Sequence, residues 1–352
     1  MSALLLVRAL RDPASVLSLS AGEWNAVIAI ARAEQLIGTL AHRLQGLAMP
    51  QPVQHIMADA REQAALGRRQ ALWEADRARV ALAGLDIPVI LLKGTAYVAA
   101  GLGAGVGRSI GDLDILVPRA ALGAVEEALL TAGWEWVKSN TYDQQYYRRW
   151  MHELPPLIHR ERDRMIDVHH TILPMTARQR PDFIAMIADR VELNDGLCVL
   201  SPEDRVLHCV AHLLADGDLA GGLRNLWDLH CLLEDYDGDQ GRLGTRAQLH
   251  GLSDHLARGQ RLVKFLFGSG ARLGFADRLY VRRLLARDGW GRQKRPLTLL
   301  AFYIRSHWLR MPPMMLARHL WIKSTAGALT GQRRSRDGHK GFGPKEEAAA
   351  SK

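Results

Sequence analysis

The sequence predicts an α+β fold that is predominantly helical, with a small mixed β-sheet flanked by N- and C-terminal helical regions. Apolar residues recur at helical spacing in residues 1–83 and again in residues 176–330. Between these regions, short apolar runs such as residues 88–92 and 112–117 have the length of strands rather than helices. With 352 residues, 48% of them hydrophobic, the chain is long enough to bury a large core.

The N-terminal region, residues 1–83, is predicted to be helical. Ser20 and Glu23 have the spacing of a capping box, and an apolar pattern of helical period follows them. Pro50 and Pro52 interrupt this pattern. The stretch after them is rich in Ala, Arg, Gln and Glu, which predicts a long helix that ends near Gly84.

The middle region, residues 84–175, is predicted to contain the sheet. Residues 88–92 are a continuous apolar run, typical of a strand buried on both faces, and Thr95 is predicted to cap a short helix after it. Further predicted elements are a strand at residues 112–117, a helix from Pro118 to Gly133, a strand at 134–137, and a hairpin with arms 152–159 and 164–172.

The C-terminal region, residues 176–330, is again predicted to be helical. Ser201 followed by Pro202 is a strong helix start, because serine caps a helix and proline suits its first turn. Residues 331–352 contain almost no apolar side chains and are predicted to be a basic, disordered tail.

The basic charge of the chain is concentrated in its last quarter. Residues 271–352 contain 18 Lys and Arg against 5 Asp and Glu, a net charge of +13. Residues 1–270 contain 28 against 32, a net charge of −4. This asymmetry predicts an anionic partner for residues 271–352.

The sequence predicts a cytoplasmic protein. No apolar run reaches the roughly 20 residues that span a bilayer, and the first apolar stretch is too short for a signal peptide. Three widely spaced cysteines without a CxxC pair exclude a zinc ribbon and a disulfide framework. A peripheral position at a membrane surface is the alternative that the basic C-terminal quarter leaves open.

Two aspartates on one predicted strand give the first chemical signal. Asp112 and Asp114 are two residues apart, so their side chains point to the same face of the strand. Two unpaired carboxylates beside an apolar strand repel each other and are costly to bury. A divalent cation such as Mg²⁺ removes this cost, which predicts a metal site here.

Groups that suit a phosphate ligand lie upstream of these aspartates. Lys93, Gly94 and Thr95 follow the first predicted strand, where a strand-to-helix turn presents backbone N–H groups to an anion. Arg108 and Ser109 add a cation and a hydroxyl, although Arg108 can equally pair with an aspartate.

A later predicted strand supplies a third carboxylate. Asp167 and His169 share one face of that strand, and three carboxylates on neighbouring strands are what a two-metal phosphoryl- or nucleotidyl-transfer site needs. His169 and His152 are predicted to contact the substrate or to support the ligands. His208 and His212 are interpreted as packing residues, because no glutamate follows His208 and no third zinc ligand is evident.

These motifs together resemble a known family. Lys93-Gly94-Thr95, then R-x-x-x-D-x-D from Arg108 to Asp114, then Ile166-Asp167-Val168-His169 are similar to the polymerase-beta-like nucleotidyltransferase superfamily, and most of all to its bacterial uncharacterised nucleotidyltransferase branch. The specific resemblance covers residues 84–175, and a weaker one extends over residues 201–233. Thr95 departs from the pattern, which has serine or a second glycine there.

The resemblance implies a function for each residue. Asp112, Asp114 and Asp167 would be catalytic and hold Mg²⁺ or Mn²⁺. The implied nucleotide-binding residues are Lys93, Gly94, Thr95, Arg108 and Ser109. The implied reaction moves a nucleoside monophosphate from an NTP, with ATP expected, to a hydroxyl acceptor that the sequence does not identify.

Two alternatives to this function remain. In the first, the acceptor is RNA, as in toxin-type nucleotidyltransferases, which the basic C-terminal quarter favours. In the second, the protein is a non-catalytic NTP-binding or scaffold protein of a biosynthetic complex. For the enzyme itself, a small molecule, a peptide, a protein and RNA all remain open as the acceptor.

Overall fold

Helices make up most of the residues that the computed structural model describes, which are residues 2–137, 147–148, 150–193 and 196–310. These residues belong to one compact unit, Met1–Arg310. The α-helices are Ser2–Arg11, Ala21–Ala33, Ile37–Arg43, Gln51–Leu82, Lys93–Ala99, Leu122–Thr131, Phe183–Ala188, Pro202–Val210, Gly222–Glu234, Gln240–Leu249, Ser253–Leu266, Phe275–Leu284 and Pro296–Arg310. A π-helical turn, Ala211–Asp216, directly continues the helix Pro202–Val210.

A seven-stranded mixed sheet forms among these helices. Its strands, in chain order, are β1 (Ile90–Leu91), β2 (Leu113–Leu116), β3 (Trp134–Trp136), β4 (Leu157–His159), β5 (Met165–His169), β6 (Val191–Glu192) and β7 (Cys198–Val199). Their spatial order is β3-β4-β5-β2-β1-β7-β6. Strand β2 runs parallel to β5 and antiparallel to β1. The predicted fold class, α+β and predominantly helical, is confirmed.

The two central strands are buried along their whole length. Every residue of β1 and β2 is buried, which explains why both appear in the sequence as continuous apolar runs rather than alternating patterns. The predicted hairpin is also present, because β4 and β5 pair antiparallel. One residue of the otherwise apolar strand β2 is charged: Asp114, which is only 3% exposed.

Helix capping follows the sequence at two places and departs from it at a third. Ser20 and Glu23 form the predicted capping box, and Ser201 accepts a hydrogen bond from the backbone N–H of Asp204. The prediction that Thr95 caps the short helix after β1 is wrong. That helix begins at Lys93, after Leu92, and Thr95 is buried inside it.

The strands β6 and β7 were not predicted. They pair antiparallel, and β7 joins β1 in parallel, which extends the sheet on the side away from β5. Both strands have only two residues, too few for any periodicity to show in the sequence. The interpretation of residues 176–330 as helical therefore misses this pair.

An ion pair holds the β4–β5 hairpin against the long helix Gln51–Leu82. The guanidinium of Arg162 donates hydrogen bonds of 3.0 Å to both carboxylate oxygens of the buried Glu74. Arg164 also donates a hydrogen bond to Gln70 on the same helix. The strand that carries Asp167 is thus positioned from outside the sheet as well as by its neighbours.

Two further sequence predictions concern membrane-spanning helices and the basic end of the chain. In the described part, no helix combines the length and the apolar character needed to cross a membrane. The predicted tail, residues 331–352, lies outside the described residues. Within the basic quarter, Arg287 donates a hydrogen bond of 2.7 Å to the buried Glu34. This guanidinium therefore forms an ion pair inside the protein.

Candidate active site

The three predicted carboxylates lie together at one end of β2 and β5. Asp114 on β2 is directly opposite Asp167 on β5, and Asp112 immediately precedes β2. One carboxylate oxygen from each of Asp112, Asp114 and Asp167 lies within 4.8 Å of the other two. The parallel pairing of two strands that are distant in the sequence produces this cluster.

Asp114 is the most constrained of the three. Its Oδ1 atom accepts a hydrogen bond of 2.6 Å from the ammonium of Lys93 and lies 3.0 Å from Nε2 of His169. Burial opposes ionisation of this carboxyl, but Lys93 and His169 outweigh burial and hold the pKa of Asp114 well below its ordinary value. Asp114 is therefore a buried carboxylate at neutral pH.

Asp167 has the opposite electrostatic environment. Burial, together with the nearby carboxylates of Glu153 and Asp114, raises the pKa of Asp167 to about 7. In the absence of a cation, the cluster thus resists carrying a full set of negative charges. A bound divalent cation would favour the ionised form of Asp167, because its charge offsets this repulsion.

The turn after β1 places Lys93 and Gly94 beside these carboxylates. Lys93 adopts a left-handed backbone conformation, with φ of 47°, which is strained for a residue with a side chain. Burial disfavours the Lys93 ammonium, but Asp114 outweighs burial and raises the pKa of Lys93 above its ordinary value. The predicted cation is therefore present, and in this structure it contacts a carboxylate.

Arg108 crosses directly over Gly94. Its guanidinium donates hydrogen bonds of 2.9 and 3.1 Å to Oδ2 of Asp228 and lies 5.5 Å from the ring centre of Tyr97. The carboxylate partner of Arg108 is thus Asp228, and not one of the strand aspartates. A Cβ at position 94 would overlap the guanidinium, so any residue other than glycine would force Arg108 to shift.

We expect Gly94→Ala to displace Arg108 and to weaken NTP binding about tenfold, with a loss of about 1–3 kcal/mol in the free energy of unfolding from overpacking. Calorimetric titration with NTP and urea denaturation measure the two effects. The matched control is Gly67→Ala in the helix Gln51–Leu82, where an added Cβ meets nothing and helix propensity predicts a gain of up to about 1 kcal/mol. Unchanged NTP affinity in Gly94→Ala would contradict the expected role of this turn.

The remaining predicted nucleotide-binding residues have distinct positions. Thr95 is 1% exposed, and its hydroxyl has no hydrogen-bond partner in the described part of the chain. Ser109 is exposed, and its backbone carbonyl accepts a hydrogen bond of 3.3 Å from the buried Arg224. Arg108 contacts Oδ2 of Asp228 and Arg224 lies 3.9 Å from its Oδ1, so two guanidinium groups lie beside this carboxylate.

Four residues near the site were not predicted to belong to it. Glu153 forms a β-bridge with His169 and lies close enough to Asp167 to raise its pKa. Burial and the Lys93 charge keep the pKa of His208 well below its ordinary value, and they lower the pKa of His212 to about 3. In the sequence, His208, His212 and Asp228 lie more than 50 positions after Glu153. Glu153 adjoins His152, and His208 and His212 have the i, i+4 spacing that was interpreted as packing. The fourth is Asp228, the partner of Arg108.

The interpretation of His208 and His212 as packing residues stays a prediction. The buried His208 lies on the helix Pro202–Val210, and His212 lies on the π-helical turn that continues it. Among the residues described, neither histidine joins a group of three side chains arranged to hold a metal ion. Both are neutral imidazoles at neutral pH that border the Lys93 and Asp114 pair.

The mixed sheet brings three carboxylates together beside a strand-to-helix turn, which is the arrangement that the resemblance to nucleotidyltransferases implies. The chain belongs to the family described as uncharacterised nucleotidyltransferase, whose model matches residues 20–268. This match includes the sheet, the carboxylates and the helices that carry Asp228 and His208, and it confirms the family predicted from the motifs. A comparison with curated proteins found no match.

Proposed function

We propose that this protein is a Mg²⁺-dependent nucleotidyltransferase that transfers a nucleoside monophosphate from an NTP to a hydroxyl acceptor. The observation that carries the proposal is the convergence of Asp112, Asp114 and Asp167 within 4.8 Å of one another. Membership of the nucleotidyltransferase family supports the class of reaction. ATP is the nucleotide that we test first.

The carboxylate cluster fits a hard divalent cation. Its donors are oxygen atoms only, which Mg²⁺ and Mn²⁺ prefer, and Mg²⁺ commonly combines one or two carboxylates with substrate phosphates. Burial, together with the carboxylates of Glu153 and Asp114, raises the pKa of Asp167, and a bound cation would favour its ionised form. Asp112, Asp114 and Asp167 would hold the ion, which supplies charge stabilisation at the transferred phosphoryl group.

The protein side chains then have defined tasks. The acceptor oxygen attacks the α-phosphorus of the NTP, the bond from that phosphorus to the pyrophosphate oxygen breaks, and the Asp167 carboxylate accepts the acceptor proton. Lys93 offers its ammonium to a phosphate oxygen, and the turn at Gly94 brings backbone N–H groups close to the triphosphate. Catalysis then consists mainly of positioning and charge stabilisation.

The experiment that tests the proposal is calorimetric titration with each of the four NTPs, with and without Mg²⁺. We expect one NTP to bind only with Mg²⁺, and the double variant Asp112→Ala/Asp114→Ala to lose this binding. Failure of every NTP to bind would contradict the proposal.

Turnover separates the enzyme from its alternatives. We would incubate the protein with the NTP that binds and with small-molecule, peptide, protein and RNA acceptors, and measure pyrophosphate release. Labelling of RNA that falls steeply with salt would indicate an RNA-directed enzyme. Tight NTP binding without turnover on any acceptor would favour the non-catalytic alternative.

A further inference from the structure

We propose that His152, Glu153 and His169 form a second metal site, separate in its ligands from the aspartate cluster and suited to a transition-metal ion such as Zn²⁺. This proposal does not depend on the proposed function, because it concerns different side chains and a different class of metal. It is carried by geometry, by the donor atoms and by the hydrogen bonding of His169.

The spacing of the three side chains is that of metal ligands. Oε2 of Glu153 lies 3.5 Å from Nδ1 of His169 and 3.7 Å from Nε2 of His152. Both separations exceed the usual N–H···O hydrogen-bond length of about 2.9–3.0 Å. Ligands at about 2.0–2.2 Å from a tetrahedral zinc ion are about 3.3–3.5 Å apart. Small shifts of the three side chains would therefore place all of them within bonding distance of one ion.

The chemistry of the donors distinguishes this site from the aspartate cluster. Two imidazole nitrogens and one carboxylate form a known three-ligand set of catalytic zinc sites, which leave a fourth position open. Imidazole suits zinc and its transition-metal neighbours, whereas Mg²⁺ prefers oxygen ligands. The two sites would therefore select different ions from the same solution.

The surroundings of His169 match those of a metal-bound histidine. Its Nδ1 faces Glu153, while its Nε2 lies 3.0 Å from Oδ1 of Asp114. Ligation through Nδ1 places the ring proton on Nε2, which then donates to the Asp114 carboxylate. A carboxylate that accepts from the far nitrogen is the usual way in which proteins orient a metal-ligating histidine.

His152 is buried beside the other two side chains, and its ligating nitrogen would be Nε2, the atom that faces Glu153. The residue is 8% exposed, and the Nδ1 atom of its ring has no hydrogen-bond partner within the described ranges. Its Nε2 is beyond hydrogen-bond reach of Glu153. The ring stacks on His169 with centroids 5.2 Å apart, which keeps both rings beside one carboxylate.

The test uses Co²⁺ as a visible probe and Zn²⁺ as its competitor. The full chain is stripped with a chelator, and Co²⁺ is added in the presence of excess Mg²⁺, which competes for sites made of oxygen donors such as the aspartate cluster. We expect one Co²⁺ per chain with visible d–d absorption that Zn²⁺ displaces. His152→Ala and Glu153→Gln should each weaken Co²⁺ binding by at least about 10- to 100-fold.

Matched variants show which side chains bind the Co²⁺ ion. His170→Ala removes an equally buried neighbouring histidine that is not among the three ligands, and it should retain Co²⁺ binding. Asp112→Asn should also retain it. Glu153→Gln keeps the side-chain size, so it remains informative if His152→Ala does not fold. Circular dichroism and the melting temperature check each variant.

Three results would overturn this site: no stoichiometric Co²⁺ binding, equal affinity in wild type, His152→Ala and Glu153→Gln, or loss of binding in Asp112→Asn but not in His152→Ala. The last result would place the ion at the aspartate cluster. Because NTP binding is measured separately with Mg²⁺, failure of the second metal site and failure of the proposed function remain distinguishable.

Discussion

Asp112→Asn is expected to reduce nucleotidyl transfer by at least about 1000-fold, equivalent to about 4 kcal/mol of transition-state stabilisation, while the protein remains folded. Asp112 is exposed and immediately precedes β2, so its substitution would remove a proposed metal ligand without opening the core. Asp114 is less suitable as a first target, because its substitution would leave the buried contacts of Lys93 and His169 unpaired.

Pyrophosphate release and urea denaturation measure these two expectations. The matched control is Asp59→Asn on the exposed face of the helix Gln51–Leu82, which should retain both activity and stability. Transfer at the wild-type rate by Asp112→Asn, or by the double variant Asp112→Ala/Asp114→Ala, would show that this cluster is not the catalytic centre.

The second large effect concerns stability rather than activity. Asp204 is fully buried and accepts hydrogen bonds of 2.8 and 2.6 Å from Arg246. It also lies 2.9 Å from Nε2 of His250, whose Nδ1 accepts from the backbone N–H of Asp182 and so leaves the proton on Nε2. Asp204→Asn removes the negative charge that Arg246 and His250 face in this buried network. We expect it to lower the free energy of unfolding by about 3–5 kcal/mol.

The pH dependence of this loss follows from the pKa of Asp204. Burial raises it, but Arg246 and His250 outweigh burial and lower it below the ordinary value of 3.8. The unfolded chain therefore binds a proton more readily than the folded one. The stabilisation is fully present above the ordinary pKa and is lost as the pH falls through the folded pKa.

Urea denaturation of wild type and Asp204→Asn at several pH values tests the direction of this pH dependence. We expect the difference in unfolding free energy to be largest near pH 7 and to narrow between about pH 5 and about pH 3. Asp254→Asn, an exposed change in a nearby helix, serves as the control. A difference that stays constant with pH would show that ionisation of Asp204 does not stabilise the fold.

Local patterns in the sequence were sufficient for much of the fold. The capping box at Ser20, the helix start at Ser201 and the β4–β5 hairpin all rest on interactions between residues close in the chain. Such interactions leave a readable spacing. The strands β6 and β7 left none, because each has only two residues and is stabilised by pairing with a distant strand.

The same distinction applies to the candidate site. The sequence by itself determined which carboxylates to consider, because Asp112, Asp114 and Asp167 lie in strand-like motifs whose order resembles a known family. Their convergence was decided by the parallel pairing of β2 with β5 across some 50 residues of intervening chain. No local pattern encodes that register.

The partners of the charged groups depended most on tertiary structure. The sequence left open whether Arg108 contacts an aspartate or a phosphate, and the fold supplies Asp228, 120 residues away. It likewise brings Glu153 between His152 and His169. Sequence spacing fixes which side chains share a face of one element, whereas packing among elements sets the distances, burial and charge on which pKa values and metal binding depend.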